Sequence, residues 1–113
     1  MTLKTTSQGN VTVIDLSGNL MGGPDASALN SKLHELVDAG KTRVVLDMSG
    51  VEFMNSSGLG LLIGGASLLK NAGGALRIAA ASEKILALIK ITKLGSVFET
   101  HPTVEAAVAS LKP

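Results

Sequence analysis

The hydrophobic pattern of this chain keeps changing period, and that alternation constrains the fold more than any other feature. Glycine-rich punctuation cuts the sequence into short pieces at Gly9-Asn10, Gly18-Asn19, Gly22-Gly23-Pro24, Ala39-Gly40, Ser49-Gly50, Gly73-Gly74 and Gly95. Between the marks, pieces with helical spacing follow pieces that read as strands. Residues 25–39 place Ala26, Leu29, Leu33, Leu36 and Val37 on one helical stripe, and Gly40 follows as a C-terminal stop. Val44-Val45-Leu46 is a continuous apolar run, as a strand buried on both faces requires. Residues 56–72 return to helical spacing with Leu59, Leu62, Ile63, Ala66 and Leu69, ended by Asn71-Ala72-Gly73-Gly74. Residues 75–80 read as a second buried strand. Ser82 caps a third helix that carries Ile85, Leu88 and Ile89 inside and closes at Leu94-Gly95. Val97-Phe98-Glu99 is a short strand, and Thr103 caps a last helix with Val104, Ala107, Val108 and Leu111 on one face.

The start is different. Residues 3–7 and 11–17 are Thr- and Val-rich, with Gln8-Gly9-Asn10 between them, which reads as a hairpin. The predicted order is therefore β-β-α-β-α-β-α-β-α. Alternation beyond the hairpin implies parallel neighbours joined by right-handed crossover helices. The expected product is an α/β fold: one mixed sheet of about five strands, an antiparallel hairpin and the rest mainly parallel, with about four helices. At 113 residues, residues 1–113 suit a single domain.

Composition narrows the function. Two phenylalanines, Phe53 and Phe98, are the whole aromatic complement, too few for base-stacking platforms or an aromatic-walled cofactor pocket. The net charge is +1 and the basic residues are scattered, so no global field draws nucleic acid or a membrane. No cysteine is present, which removes disulfides, thiolate metal sites and thiol nucleophiles. The first residues, Met1-Thr2-Leu3-Lys4-Thr5-Thr6, lack the apolar core of a signal peptide. The longest apolar stretch, residues 58–69, is too short to span a bilayer. A cytoplasmic protein without membrane insertion or cofactor is expected.

One segment carries the chemistry. Asp47 to Gly60 joins a strand ending near Asp47 to a helix starting near Ser56, through Phe53-Met54-Asn55-Ser56-Ser57-Gly58-Leu59-Gly60. Asn55 or Ser56 is the natural N-cap. Gly58 and Gly60 are poor helix formers, so two of them in a first turn imply a close approach to the backbone there, by another protein, a phosphate or a neighbouring helix. A hydroxyl at a helix N-terminus is well placed to carry a phosphoryl group, because free N–H groups and the positive dipole end favour negative charge. The same residues also read as an ordinary helix cap.

The segment resembles the signature of STAS domains, specifically the anti-sigma factor antagonists, and the resemblance extends over nearly the whole chain: a Gly18-Asn19-Leu20 turn after the second strand, the apolar strand before the motif, the apolar helix after it, and Val97-Phe98-Glu99 before an Ala-rich helix. It implies a partner-switching regulator, not an enzyme. The implied partners are an anti-sigma factor with a histidine-kinase-like ATPase fold, which is also the serine kinase, and a metal-dependent serine phosphatase. It implies Ser56 as phosphoacceptor, with Ser57, Gly58, Leu59 and Gly60 in the docking surface and residues 18–25 flanking it. Met21, Asp25, Met54 and Asn55 join that partner-binding set, and a monomer or weak dimer is expected. Two positions depart from the family pattern: Asn55 stands where Asp is common, and Met21 where the preceding turn often carries an acid. Asp25, four residues beyond Met21, is the nearest acid that follows.

Other readings compete. His34 and His101 are far apart and lack ligand spacing, so no metal site is expected. Met54 and Gly58 flank Ser56 at minus and plus two, which is not a nucleophile elbow. Gly58, Gly60, Gly64 and Gly65 miss dinucleotide-loop spacing by one position, and Gly64-Gly65-Ala66 is read instead as close packing against the sheet. Met48 is read as core, and Met21 and Met54 as candidates for an adaptable surface. A STAS module in another kinase–phosphatase complex, and a small-molecule or nucleotide sensor using residues 18–25 and 55–60, remain open alternatives.

Overall fold

The structure, a computed structural model, describes residues 2–21, 24–91 and 99–111, with the side chains of residues 24–26 and 91 outside that description. The elements run β1 (Thr2–Gln8), β2 (Val11–Leu20), α1 (Pro24–Asp38), β3 (Arg43–Met54), α2 (Ser56–Asn71), β4 (Ala75–Ala79), α3 (Glu83–Ile91), β5 (Glu99–His101) and α4 (Val104–Leu111). This is the order expected from the sequence. Among the described residues the strands form one sheet in the order β1-β2-β3-β4-β5. The β1–β2 pair is antiparallel, and the other three pairs are parallel.

Helices cover both faces, and β3 in the middle is apolar on both. Val44, Val45 and Leu46 are fully buried. Val44 and Leu46 join Ile14, Leu16, Leu33, Leu62, Leu69 and Ile78 in the larger core, beneath α1, α2 and α3. Val45 points the other way, with Val11, Val13 and Ala79, onto Ala107, Val108 and Leu111 of α4. Each such side chain contributes about 1.5–3 kcal/mol by leaving water, which is why the parallel strands read as apolar runs.

The caps act as their residue types predict. The Ser82 hydroxyl accepts from Ile85 N at 3.3 Å, and the Thr103 hydroxyl accepts from Ala106 N at 3.1 Å. Gly40 adopts φ +78° past the end of α1. There Lys41 N reaches Leu36 O at 2.8 Å and Gly40 N reaches Val37 O at 3.0 Å, the paired bonds of a left-handed helix stop. Residues 94, 95, 97 and 98, in the expected α3 stop and last strand, lie outside the described residues; Glu99 opens β5. The three residues of β5 are tied to β4 by Glu99, which takes Arg77 Nε at 3.1 Å and His101 Nε2 at 2.9 Å.

Three local expectations are corrected. β3 does not end near Asp47 but continues to Met54. Its register against β2 slips twice, between Asp15/Ser17 and between Gly18/Asn19, each slip placing an extra residue in β3. Residues 18–20 accordingly belong to β2 rather than to a turn after it. And Gly65 makes room for α1 rather than chiefly for the sheet: a Cβ there would meet Leu33 Cδ1 at 2.7 Å, while Gly64 is open.

Candidate functional site

The continuation of β3 delivers the chain to Asn55 directly beside the end of β2. Asn55 is extended, φ −100° and ψ −176°, and caps α2. Its carboxamide works in two directions. Oδ1 accepts from Gly58 N at 2.9 Å, and Nδ2 donates to Met21 O at 3.1 Å. The backbone repeats the pattern: Leu59 N donates to Asn55 O at 2.9 Å, and Asn55 N to Leu20 O at 3.4 Å. One residue thus starts α2 and ties it to the last residues of β2. Of the two candidate caps, Asn55 is the one that acts. Ser56 is the first helical residue and is left free of the capping role.

Gly58 explains the tie. A Cβ on it would sit 2.1 Å from Leu20 O and 2.9 Å from Met54 Cγ. The close approach expected here is therefore made within the chain, by the end of β2, and not by a partner, a phosphate or a helix. Gly60 has nothing within 4 Å of a Cβ position. The two glycines look alike in the motif but have different reasons to be there.

The face this builds can be stated residue by residue. Ser56, Ser57 and Gly60 are exposed, and Asn55 is half-buried. Neither serine hydroxyl is hydrogen-bonded among the described residues. No acidic side chain lies in the first turn of α2, so the unpaired N–H groups and the positive dipole end face two free hydroxyls. Met21 is exposed, at 43%. Met54, Gly58 and Leu59 are buried. That corrects their expected place in an exposed docking surface: bulged β3 turns Met54 inward, and Leu59 packs in the larger core, so these three hold the face from beneath. Met48 lies in the core. The side chain of Asp25 falls outside the described residues.

Sequence reasoning missed Phe53. It is 41% exposed, the second large apolar side chain besides Met21 that the described surface shows. Its ring stands under the Lys84 ammonium, 5.9 Å from the centroid, and walls an apolar groove between the end of β3 and α3. The available signal was its place two residues before the cap, where a strand side chain is carried to the sheet end. The histidines are not brought to Ser56. His34 is exposed on α1, and His101 bonds Glu99 on β5. Among the described residues no three His, Asp or Glu side chains group as a metal site would need, and no helix is long and apolar enough to cross a membrane.

Known proteins are similar to this chain in sequence and fold. The STAS domain model matches residues 2–107. The anti-sigma-B factor antagonist of Bacillus subtilis (strain 168) is 30% identical over 97 residues, covering 83% of this chain and 88% of that protein. The crystal structure of an anti-sigma factor antagonist from Mycobacterium paratuberculosis superposes with a TM-score of 0.84 at 26% identity, over 99% of this chain and 94% of that one. The phosphorylated form of the Bacillus cell fate determinant SpoIIAA superposes with a TM-score of 0.76 at 21% identity, over 98% of this chain and 100% of that one, a likeness of fold.

Proposed function

The chain belongs to the STAS domain family, and from that premise we propose that it is a cytoplasmic anti-sigma factor antagonist, a regulator rather than an enzyme, working as one module over residues 1–113 and switched at Ser56. The observation that carries the reading is the free Ser56 hydroxyl at the first position of α2, beside a cap fixed by its own bonds. With Ser56 bare, Met21, Asn55, Ser56, Ser57 and Gly60 offer a nearly neutral face to an anti-sigma factor that is also the serine kinase. Phosphorylation adds about −1.5 to −2 charges there. The N-terminus of α2 tolerates that charge, so the helix stays folded while the matched partner surface is repelled. A serine phosphatase resets the switch.

Asn55 gives this version its particular character. An Asp there would cap α2 equally well but could not donate to Met21 O. The Asn therefore exchanges a negative charge beside the acceptor for a tie to β2.

The test is binding to the purified histidine-kinase-like anti-sigma factor encoded in the same genome. Wild type and Ser56→Ala should bind alike, Ser56→Asp should bind at least tenfold more weakly, and the kinase with ATP should place one phosphoryl group on Ser56. Equal binding of all three, with no phosphoryl transfer, would leave Ser56 a plain helix residue and overturn the switch.

A further inference from the structure

An apolar groove lies beside the Ser56 face, between the end of β3 and α3. It has a volume of about 350 Å³, within the roughly 300–1,000 Å³ of small-molecule clefts. Its floor is Met54 and Ile85, both buried, and its sides are Phe53 from β3 with Ala87 and Leu88 from α3. Two polar side chains reach it. The first, Asn55, has both ends of its carboxamide committed, to Gly58 N and to Met21 O. The second is Lys84, whose ammonium lies over the Phe53 ring and makes no ion pair among the described residues. Among the described residues no carboxylate lines the groove.

An apolar slot with one unneutralised cation at its rim selects by two criteria. The body of the ligand must be largely aliphatic, since the walls are Phe53, Met54, Ile85, Ala87 and Leu88 and each end of the Asn55 carboxamide already holds one internal hydrogen bond. The end of the ligand must be a small anion, because the one cation at the rim, the exposed Lys84 ammonium over the Phe53 ring, attracts an anion at the mouth of an apolar groove. A polyanion such as a nucleotide fits neither criterion: among the described residues one lysine and one aromatic ring line the groove. We propose that this groove binds an aliphatic monocarboxylate of medium chain length, its chain between Phe53 and Leu88 and its carboxylate on Lys84. No covalent step is involved. Since Asn55 both lines the groove and caps α2, a bound ligand lies against the edge of the face that carries Ser56.

The experiment is a titration of the isotope-labelled full chain, unphosphorylated, with decanoate below its micelle-forming concentration, read by amide and methyl shifts. Decanol, without the carboxylate, and acetate, without the tail, are run in parallel. Saturable shifts confined to Phe53, Ile85, Ala87 and Leu88 are expected with decanoate. Lys84→Glu should weaken binding about tenfold or more. Ala87→Trp, an exposed helical position whose new side chain fills the slot, should abolish it while the unfolding midpoint stays near that of wild type. Acetate should give no groove shifts, and decanol should bind about tenfold more weakly than decanoate. Absence of saturable groove shifts overturns the site. Equal binding of decanol, or unchanged affinity in Lys84→Glu, overturns the assigned ligand class. If decanoate fails to bind but Ala87→Trp weakens capture by the anti-sigma factor, the groove is a protein-docking surface and the small-molecule assignment is wrong.

Discussion

The N-termini of α2 and α4 are capped in the same way, yet their surroundings differ. In each, a side-chain oxygen accepts from the N–H three residues on, 2.9 Å at Asn55 and 3.1 Å at Thr103. In each, the cap carbonyl accepts from the N–H four residues on, 2.9 Å and 3.2 Å. One difference lies in the first turn, where α4 carries Glu105 and α2 no acid; the larger one lies outside the helix. Among the described residues Thr103 bonds only forward, into α4. Asn55 also bonds backward, to Leu20 and Met21, and behind it Gly58 closes onto the Leu20 carbonyl. A cap that points one way starts a helix. A cap that points both ways locks the helix to its neighbour and fixes what the next residues present, here Ser56 and Ser57, whose hydroxyls are unbonded among the described residues. The cap motif alone did not distinguish them.

The sharpest way to break the contrast is Gly58→Ala. On propensity alone Ala would be favoured by about 1 kcal/mol in a helix. A methyl 2.1 Å from a backbone oxygen forces β2 and α2 apart, and overpacking of that kind costs about 1–3 kcal/mol or more. Net destabilisation of about 2 kcal/mol is expected in urea unfolding, and a neutral result would mean that the lock is loose. Next comes the pair of cap deletions. Thr103→Ala should cost about 1 kcal/mol, the ordinary value of a lost cap. Asn55→Ala should cost about 2 kcal/mol, since it also strips the donor from Met21 O. Equal costs would make the two termini equivalent and remove the distinction. Asn55→Asp should fall between wild type and Asn55→Ala. The smallest effect has the opposite sign: Gly60→Ala, with open space around it, should stabilise by up to about 1 kcal/mol, so that the two glycines of one motif move the unfolding midpoint in opposite directions.

Most of the fold could be read in advance because its determinants are local. The apolar run at 44–46, the stripe from Leu29 to Leu36, and the Ser82 and Thr103 caps each state their element without help from elsewhere. The second half of β3 could not be read, and the reason is mechanical. Each register slip inserts a residue, so the inward-facing positions after Leu46 are Met48, Val51 and Met54. Their spacing of three matches no strand, and the segment passes for a loop. The same slips hid the inward turn of Met54 and the outward turn of Phe53. Of the site, the free serine and its cap were legible from residue types and the family motif. The role of Gly58 was not, because the atom that excludes its side chain is a backbone carbonyl 38 positions away in sequence.

The sheet order has a last consequence. Because β1 to β5 lie side by side in the order they occur in the chain, spatial neighbours are also neighbours in time when the chain is made. The parts that lock Ser56 in place, the end of β2, bulged β3 and the first turn of α2, all fall between residues 11 and 60. They have left the peptidyl-transferase centre before β4 exists. The face around Ser56 is built from the early product of translation, and the later half of the chain closes the sheet beside parts already delivered.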